Sequence, residues 1–349
     1  MLSDLGLQDA SRKRRKVSQN PGAWAGSVVW TSEDEVTLLV SEDKWAKTRS
    51  HVAELRTMMD DNPKALPRDR LESIRGFLIY VGRTYRGIAP YLNGLHLTID
   101  GWREGRAEGG WKQTWKERRY TRLDLGEKYD VGGLKSQDND QVPVTVAAAE
   151  RLITDITALE GLVQHDLPPL VSARSKNVLS VLYGFGDASG PGFGMSWQFS
   201  DEAAMDYEYG QWTCTTSSEE SSNWREFNNF VELVERMAKE GRLLDTELFV
   251  GTDNYVSDRA FYKGYSGSKR LDQLVLRLRV LEMTYCFKLH VLHVSGRRMI
   301  KQGSDGLSRG DKGTGSMKGI TLTTFLPLHL GAFERSPALK SWVKDVCGG

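Results

Sequence analysis

The sequence predicts a mixed α/β fold, and three observations carry that prediction. From about Asn177 onward, short apolar runs bounded by glycine and polar turns alternate with amphipathic stretches of helical period. The chain has 35 glycines, more than an all-helical protein needs. Hydrophobic residues make up 39% of 349 residues, enough apolar material for roughly two domains.

Composition narrows the class further. No run approaches the ~18 consecutive apolar residues of a membrane span, and the N-terminus lacks the apolar core of a secretory signal. No membrane role is expected. The three cysteines, Cys214, Cys286 and Cys347, are too few and too scattered for a disulfide framework or a zinc knuckle. That usage fits a reducing, intracellular compartment, cytoplasmic or nuclear. A net charge of +1 conceals one compact basic run, "RKRRK" at 12–16, which suits a nuclear address, a phosphate-contacting patch or a solvated loop.

In chain order, "PGAWAGSVVWTSEDEVTLLV" holds two β-type runs around a polar turn at Thr31 to Glu35 and predicts a hairpin within 1–43. A helix follows at 44–62, with Trp45, Val52, Leu55 and Met59 at helical spacing and Asn62-Pro63 as the stop. More helix is expected after Pro67 and again over 144–163, so 44–175 reads as a mainly helical region. The polar, glycine-rich, charged segment 103–143 within it reads as an exposed insertion or linker. Next come the strands "NVLSVLYGFGD", "GFGMSWQF" and "YEYGQWTC", then an amphipathic helix with apolar positions 227, 230, 231, 234 and 237 and Gly241 as its stop. "TELFVGTDN" is a strand, "KRLDQLVLRLRVLEMTY" a helix, "FKLHVLHV" a strand, and "KQGSDGLSRGD" opens a final turn or helix.

The stretch "YGFGDASGPGFGMSW" does not cradle a dinucleotide. That use needs G-x-G-x-x-G, yet the third position is Ser189 counted from Gly184 and Met195 counted from Gly190. A strand follows where a helix dipole is needed, and Asp187 sits where a phosphate would go. Asp187 instead ends an apolar strand, as Asp253 ends another. Carboxylates in such places face a desolvation cost unless paired or bound to metal. Glu226 in the amphipathic helix and Asp305 in "GSDGLSR" are candidate partners, although any one of 46 acidic residues alone reads equally as a cap or a solvated side chain. Several carboxylates brought together repel, and all-oxygen ligation by such a group favours Mg²⁺ or Mn²⁺.

The series "GDASGPGFG", "SSNWREFNN", "GTDN" and "LHVSGRRMIKQGSDGLSRGD" resembles the ribonuclease H domain of retroelement reverse transcriptases, especially DIRS-like ones, over roughly 177–312. The resemblance implies a mixed five-stranded sheet with flanking helices in which the strands ending at Asp187 and Asp253 lie side by side. It implies a domain at 176–312 with the tetrad Asp187, Glu226, Asp253 and Asp305 as catalytic residues and metal ligands. A two-metal hydrolysis of the RNA strand of an RNA–DNA hybrid would follow. Arg297, Arg298 and Lys301 are candidates for backbone phosphates or form a solvated basic turn, and Ser189 and Asn254 are weaker candidates for substrate contacts. Upstream, "LGLQDASRKRRK" and "PGAWAGSVVW" resemble the palm end and primer-grip hairpin, and "LESIRGFLIYVGRTYRGIAPYLNGLHLTIDGW" the thumb and connection. On that reading the chain begins after the fingers and most of the palm, and a separate polymerase half is a candidate partner. The tail is 313–349; from Thr321 it resembles the family's continuation, and it has no assigned role.

Two motifs imitate chemistry. "MMDDN" at 58–62 looks like a polymerase metal motif, but its aspartates end a helix downstream of the primer-grip-like hairpin, so no polymerase activity is expected. His290 and His293 are three apart in a strand and point to opposite faces, one core and one exposed; His293 is a candidate for assisting protonation or product release. Against a ribonuclease H stand two alternatives, a folded but inactive nucleic-acid-binding remnant and a related nuclease or recombinase that acts on DNA with the same carboxylates.

Overall fold

The computed structural model describes residues 22–24, 27–31, 36–113, 142–174, 180–199, 204–212 and 221–325. The basic run at 12–16, residues 114–141 of the expected insertion, and the tail beyond 325 lie outside the described residues.

The first strands are β1 (Gly22–Trp24), β2 (Ser27–Thr31) and β3 (Val36–Val40). The expected hairpin is β2 against β3, with Val29 opposite Leu38. Helix α1 (Glu42–Asp61) buries Trp45, Val52 and Leu55 as the spacing predicts. It stops before Pro63, because proline disfavours helical backbone in the residue ahead of it. Asp60 and Asp61 are its last two residues and are exposed, so "MMDDN" is a helix end. The short strand β4 (Leu66–Pro67) leads into α2 (Arg68–Val81), then a 3-10 turn at Arg86–Leu92 and α3 (Asn93–Asp100). Pro90 lies in that turn, where it cannot donate to a continuous helical ladder. Strand β5 (Thr145–Val146) pairs with β4, and α4 (Glu150–Leu162) follows. The four helices bury one core that includes Trp45, Leu55, Ile74, Leu78, Leu95 and Ile156.

Strand β6 (Val171–Arg174) and residues 104–113 differ from the expectation in this half. β6 returns to pair with β3, giving the sheet order β1-β2-β3-β6. Residues 104–113, expected within an exposed insertion, fold back onto α3: a Cβ on Gly110 would lie 2.4 Å from the Leu97 carbonyl oxygen. The turn is polar because it is built from glycines and from Arg103 and Arg106 paired with Asp100. Polarity alone does not distinguish such a turn from a linker.

The second half holds β7 (Ser180–Ala188), β8 (Gly192–Phe199), β9 (Asp206–Gln211), α5 (Ser222–Lys239), β10 (Thr246–Thr252), α6 (Tyr255–Lys263), α7 (Lys269–Tyr285), β11 (Lys288–His293), α8 (Gly296–Gln302) and α9 (Ser304–Leu307). The sheet order is β11-β10-β7-β8-β9. β11, β10 and β7 run parallel, while β8 and β9 are antiparallel additions. This is the mixed five-stranded sheet that the motif series implies. α5 and α7 cover one face through Phe227, Phe230, Val231, Val234, Leu274 and Leu278, packed on Leu182, Met195, Leu248 and Val250. On the other face, Tyr183 and Phe185 of β7 pack with Val294, Met299 and Leu322 in a smaller cluster.

Helix α6 was not expected. Its start and stop signals are present: Asn254 caps it by accepting from the Ser257 amide at 3.0 Å, and Gly264 ends it at φ +81°. At nine residues it is too short to display a helical period convincingly. The histidine expectation also changes. His290 is half-buried, stacked on Phe249 with its Nε2 3.3 Å from Glu247, and His293 is exposed, so neither lies in the core. The reason is that β11 is an edge strand whose Leu289 and Val291 alone face the covering helices.

Candidate active site

The sheet topology brings the carboxylates together. β7 and β10 are adjacent and parallel, so both finish at the same rim. Gly251 pairs with Phe185, and the same register continued two residues sets Asp253 opposite Asp187. Glu226 is in the second turn of α5, a helix begun by Ser221, whose hydroxyl accepts from the Trp224 amide at 3.3 Å. Oxygen atoms of Asp187, Glu226 and Asp253 lie within 4.8 Å of one another. Asp187 is buried, Glu226 half-buried and Asp253 exposed. The expected desolvation at Asp253 is thus absent, because it lies one residue beyond its strand.

The fourth expected member stands outside this trio. Asp305 is in α9 with its carboxylate paired to Arg309 at 2.6 Å. It is close enough for its charge to act on Asp187. Neighbours hold the trio in place. The Ser308 hydroxyl is 2.9 Å from Asp187 Oδ2 and 2.9 Å from the Asp305 carbonyl, so its one proton serves either acceptor. Asn254 stands beside the Glu226 carboxylate and favours its charged form, donates to Asn223 Oδ1 at 3.1 Å, and caps α6. Asn229, buried on α5, donates to the Asp187 carbonyl at 3.2 Å and fixes the helix to the strand.

Burial is the largest influence on two of the carboxyls. It raises Asp187 above its ordinary value, assisted by the Asp253 and Asp305 charges and opposed by the Ser308 hydrogen bond. It pushes Glu226 up to about 7, opposed by Asn254 and assisted by Asp187 and Asp253. With Asp187 and Glu226 both drawn towards their protonated forms, the site lacks positive charge. An all-oxygen donor set with that deficit fits a hard divalent cation, held by Asp187, Glu226 and Asp253.

The other expected site residues fall into two groups. Ser189 is occupied in the turn between β7 and β8, with its hydroxyl 2.9 Å from the Ser308 carbonyl and 3.1 Å from that of Gly192. Asn254 is occupied as described. Arg297 and Lys301 are exposed on α8, and Arg298 is half-buried there; the expected basic turn is a helix. The start of α8 lies against the trio, since a Cβ on Gly296 would be 3.2 Å from Asp253 Oδ2. Ser308, Arg309 and Asn229 were not expected as site residues. Their signal was faint: "LSRG" beside Asp305, and a paired asparagine on an otherwise apolar helix face.

The glycine-rich stretch has a structural purpose. A Cβ on Gly194 would come within 2.6 Å of the Ser308 amide and 2.7 Å of the Leu307 carbonyl carbon. One on Gly192 would lie 3.0 Å from the Ser308 carbonyl oxygen and 2.3 Å from that of Gly210. Bare backbone at these positions is what admits α9 onto β8.

No family model matches the chain, and no curated protein matches it. Among solved structures, LC11-RNase H1, isolated from compost and solved with an RNA/DNA hybrid, is 18% identical over 37% of this chain and 92% of its own, with a TM-score of 0.28. RNase H1 from Halobacterium salinarum is 16% identical over the same shares, with a TM-score of 0.27. The foamy viral protease-reverse transcriptase, solved with an RNA/DNA hybrid, is 11% identical over 82% of this chain and 52% of its own, with a TM-score of 0.27. The strand order β11-β10-β7-β8-β9 with its flanking helices is the mixed sheet that the ribonuclease H-like motif series implies. That strand order and the carboxylate trio, independently of these likenesses, are the basis for the functional reading.

Proposed function

We propose that this chain is a divalent-cation-dependent nuclease of the ribonuclease H type that cuts the RNA strand of RNA–DNA hybrids. The observation that carries the reading is the convergence of Asp187, Glu226 and Asp253 within 4.8 Å at the shared rim of two parallel strands. A cation bound there would supply positive charge to the attacked phosphodiester and to the water that attacks it. The chain's own groups prepare that place. Ser308 orients Asp187, and Asn254 favours the charged form of Glu226. Arg297 and Lys301, exposed on the helix that begins beside Asp253, are placed to meet backbone phosphates. Asp305 takes part only once its carboxylate leaves Arg309.

The reading extends to origin. The motif series supports a DIRS-like retrotransposon reverse transcriptase, with 1–43 as the primer-grip-like hairpin, 44–175 as thumb and connection, 176–312 as nuclease and 313–349 as a tail. The cysteine usage supports an intracellular setting, cytoplasm or nucleus, and a separate polymerase half is the candidate partner.

The test is cleavage of a labelled RNA–DNA hybrid by the purified chain with Mg²⁺, beside Asp187→Asn and Asp253→Asn. Wild type should cut the RNA strand, and each variant should lose on the order of a hundred-fold or more in rate. Hybrid bound but left intact by wild type would favour the inactive remnant, and equal cleavage by the variants would remove the trio from the chemistry.

A further inference from the structure

Away from the carboxylate rim, the seam between the two halves encloses a cleft of about 350 Å³. It lies where the segment after α2 and the 3-10 turn at 86–92 meet α6 and α7. Gly264 creates the close approach at its edge: its φ of +81° suits glycine, and a Cβ there would come within 2.8 Å of the Ala89 methyl.

The charge of this cleft is one-sided. Arg83, Arg86, Lys263 and Arg279 line it, and no carboxylate does. Among the described residues, no carboxylate pairs with Arg83, Arg86 or Lys263. Arg279 is fixed in the wall, stacked 4.0 Å from the Phe261 ring centroid, donating to the Phe261 carbonyl at 2.8 Å and to Glu282 at 2.6 Å. Its Nε is buried with no partner among the described residues. Tyr262 and Tyr265 complete the wall, the first donating to the Val291 carbonyl at 2.9 Å and the second stacked on His96. The adjoining cleft differs, because Asp100 stands in its wall and pairs with Arg106.

Like charges gathered around one cavity repel, and a counter-anion removes that cost. Three unpaired cations, Arg83, Arg86 and Lys263, gathered on a single cavity of this size beside the Glu282-paired Arg279, suit a compact polyanion better than an extended backbone, which needs its contacts spread along a track. We propose that the cleft is a binding site for a small polyphosphate, a di- or triphosphate group whose charges meet Arg83, Arg86 and Lys263 above the fixed Arg279. This site is separate from the nuclease reading, and its ligand bridges the helical half and the ribonuclease H-like half.

Calorimetric titration of the full chain tests it, with inorganic tripolyphosphate as the probe, at low salt and in EDTA so that no cation tethers phosphate to the carboxylates. Saturable one-to-one binding is expected. The double variant Arg83→Gln, Arg86→Gln should weaken it by roughly ten-fold or more, since each lost charge-assisted contact accounts for several-fold. Both side chains are exposed, so an unchanged melting temperature is expected and would confirm that the loss is local. Lys263→Gln provides an independent second variant with the same expectation. Absence of saturable binding, or affinity untouched by these substitutions, overturns the proposal. So does an oligonucleotide that displaces tripolyphosphate and loses its own affinity in the same variants, because the cleft is then part of a nucleic-acid track.

Discussion

Ser308 reaches Asp187 across 121 positions of sequence, and a single hydroxyl at 2.9 Å opposes the burial that drives this carboxyl towards its protonated form. Ser308→Ala should therefore lower hybrid cleavage by roughly ten-fold at neutral pH, the scale of one hydrogen bond to a charged group, with part of the loss recovered at higher pH. A pH–rate profile checks this, and a profile that falls equally at every pH would make Ser308 merely structural. His96 offers a separate test on stability. Burial, aided by the Arg75 charge, holds it down to about 4, and its Nε2 has no partner among the described residues. Its folded-state value is below its unfolded one, so the unfolded chain gains the proton first as pH falls. Stability should drop between about pH 6.5 and 4, by about 3 kcal/mol at most from this residue. The buried carboxyls act in the opposite direction, so the informative quantity is a difference. Urea midpoints of wild type and His96→Phe at pH 7 and 4.5 should show a shallower acid limb in the variant.

At the scale of elements, α9 rests on β8 only because Gly192 and Gly194 present bare backbone. Gly194→Ala places a methyl against the Ser308 amide and the Leu307 carbonyl carbon, neither of which is a flexible side chain. The expected cost is about 1–3 kcal/mol of stability, with cleavage lost more steeply than folding because Ser308 moves with the helix. Paired thermal melts and hybrid assays would show it; an unaltered rate would mean that α9 is dispensable. Most element identities were legible in the sequence for a simple reason: α1, α5 and α7 are long enough for their apolar positions to repeat, and the central strands are continuous apolar runs. α6 was not legible because nine residues hold too few turns, and β6 because a four-residue strand has meaning only beside β3.

Across the whole molecule, Arg151 on α4 ties the halves together. It pairs with Asp155 at 3.1 Å within its own helix and with Asp272 on α7, and both carboxylates are almost fully buried. The Gly94 amide donates to Asp155 at 2.6 Å and the Ser266 amide to Asp272 at 2.9 Å, so the network is hydrogen-bonded on both sides of the seam. Arg151→Met leaves two buried carboxylates without their shared cation, at a cost of about 3–5 kcal/mol. Denaturant unfolding should then begin earlier and lose its single transition; one unchanged transition would show that other seam contacts suffice.

The sequence by itself determined most of the elements, the acidic residues at strand ends and the order of the motifs, because period, caps and breakers are local properties. Only the tertiary structure decided which carboxylates meet. Asp187, Glu226 and Asp253 converge because two strands pair in parallel and one helix crosses their ends, whereas Asp305, equally prominent in the sequence, lies beside Arg309 four residues away and forms its ion pair there. The same holds for the cations of the seam: each reads as an ordinary surface charge, and their enclosure of one cavity arises from the packing of segments far apart in the chain.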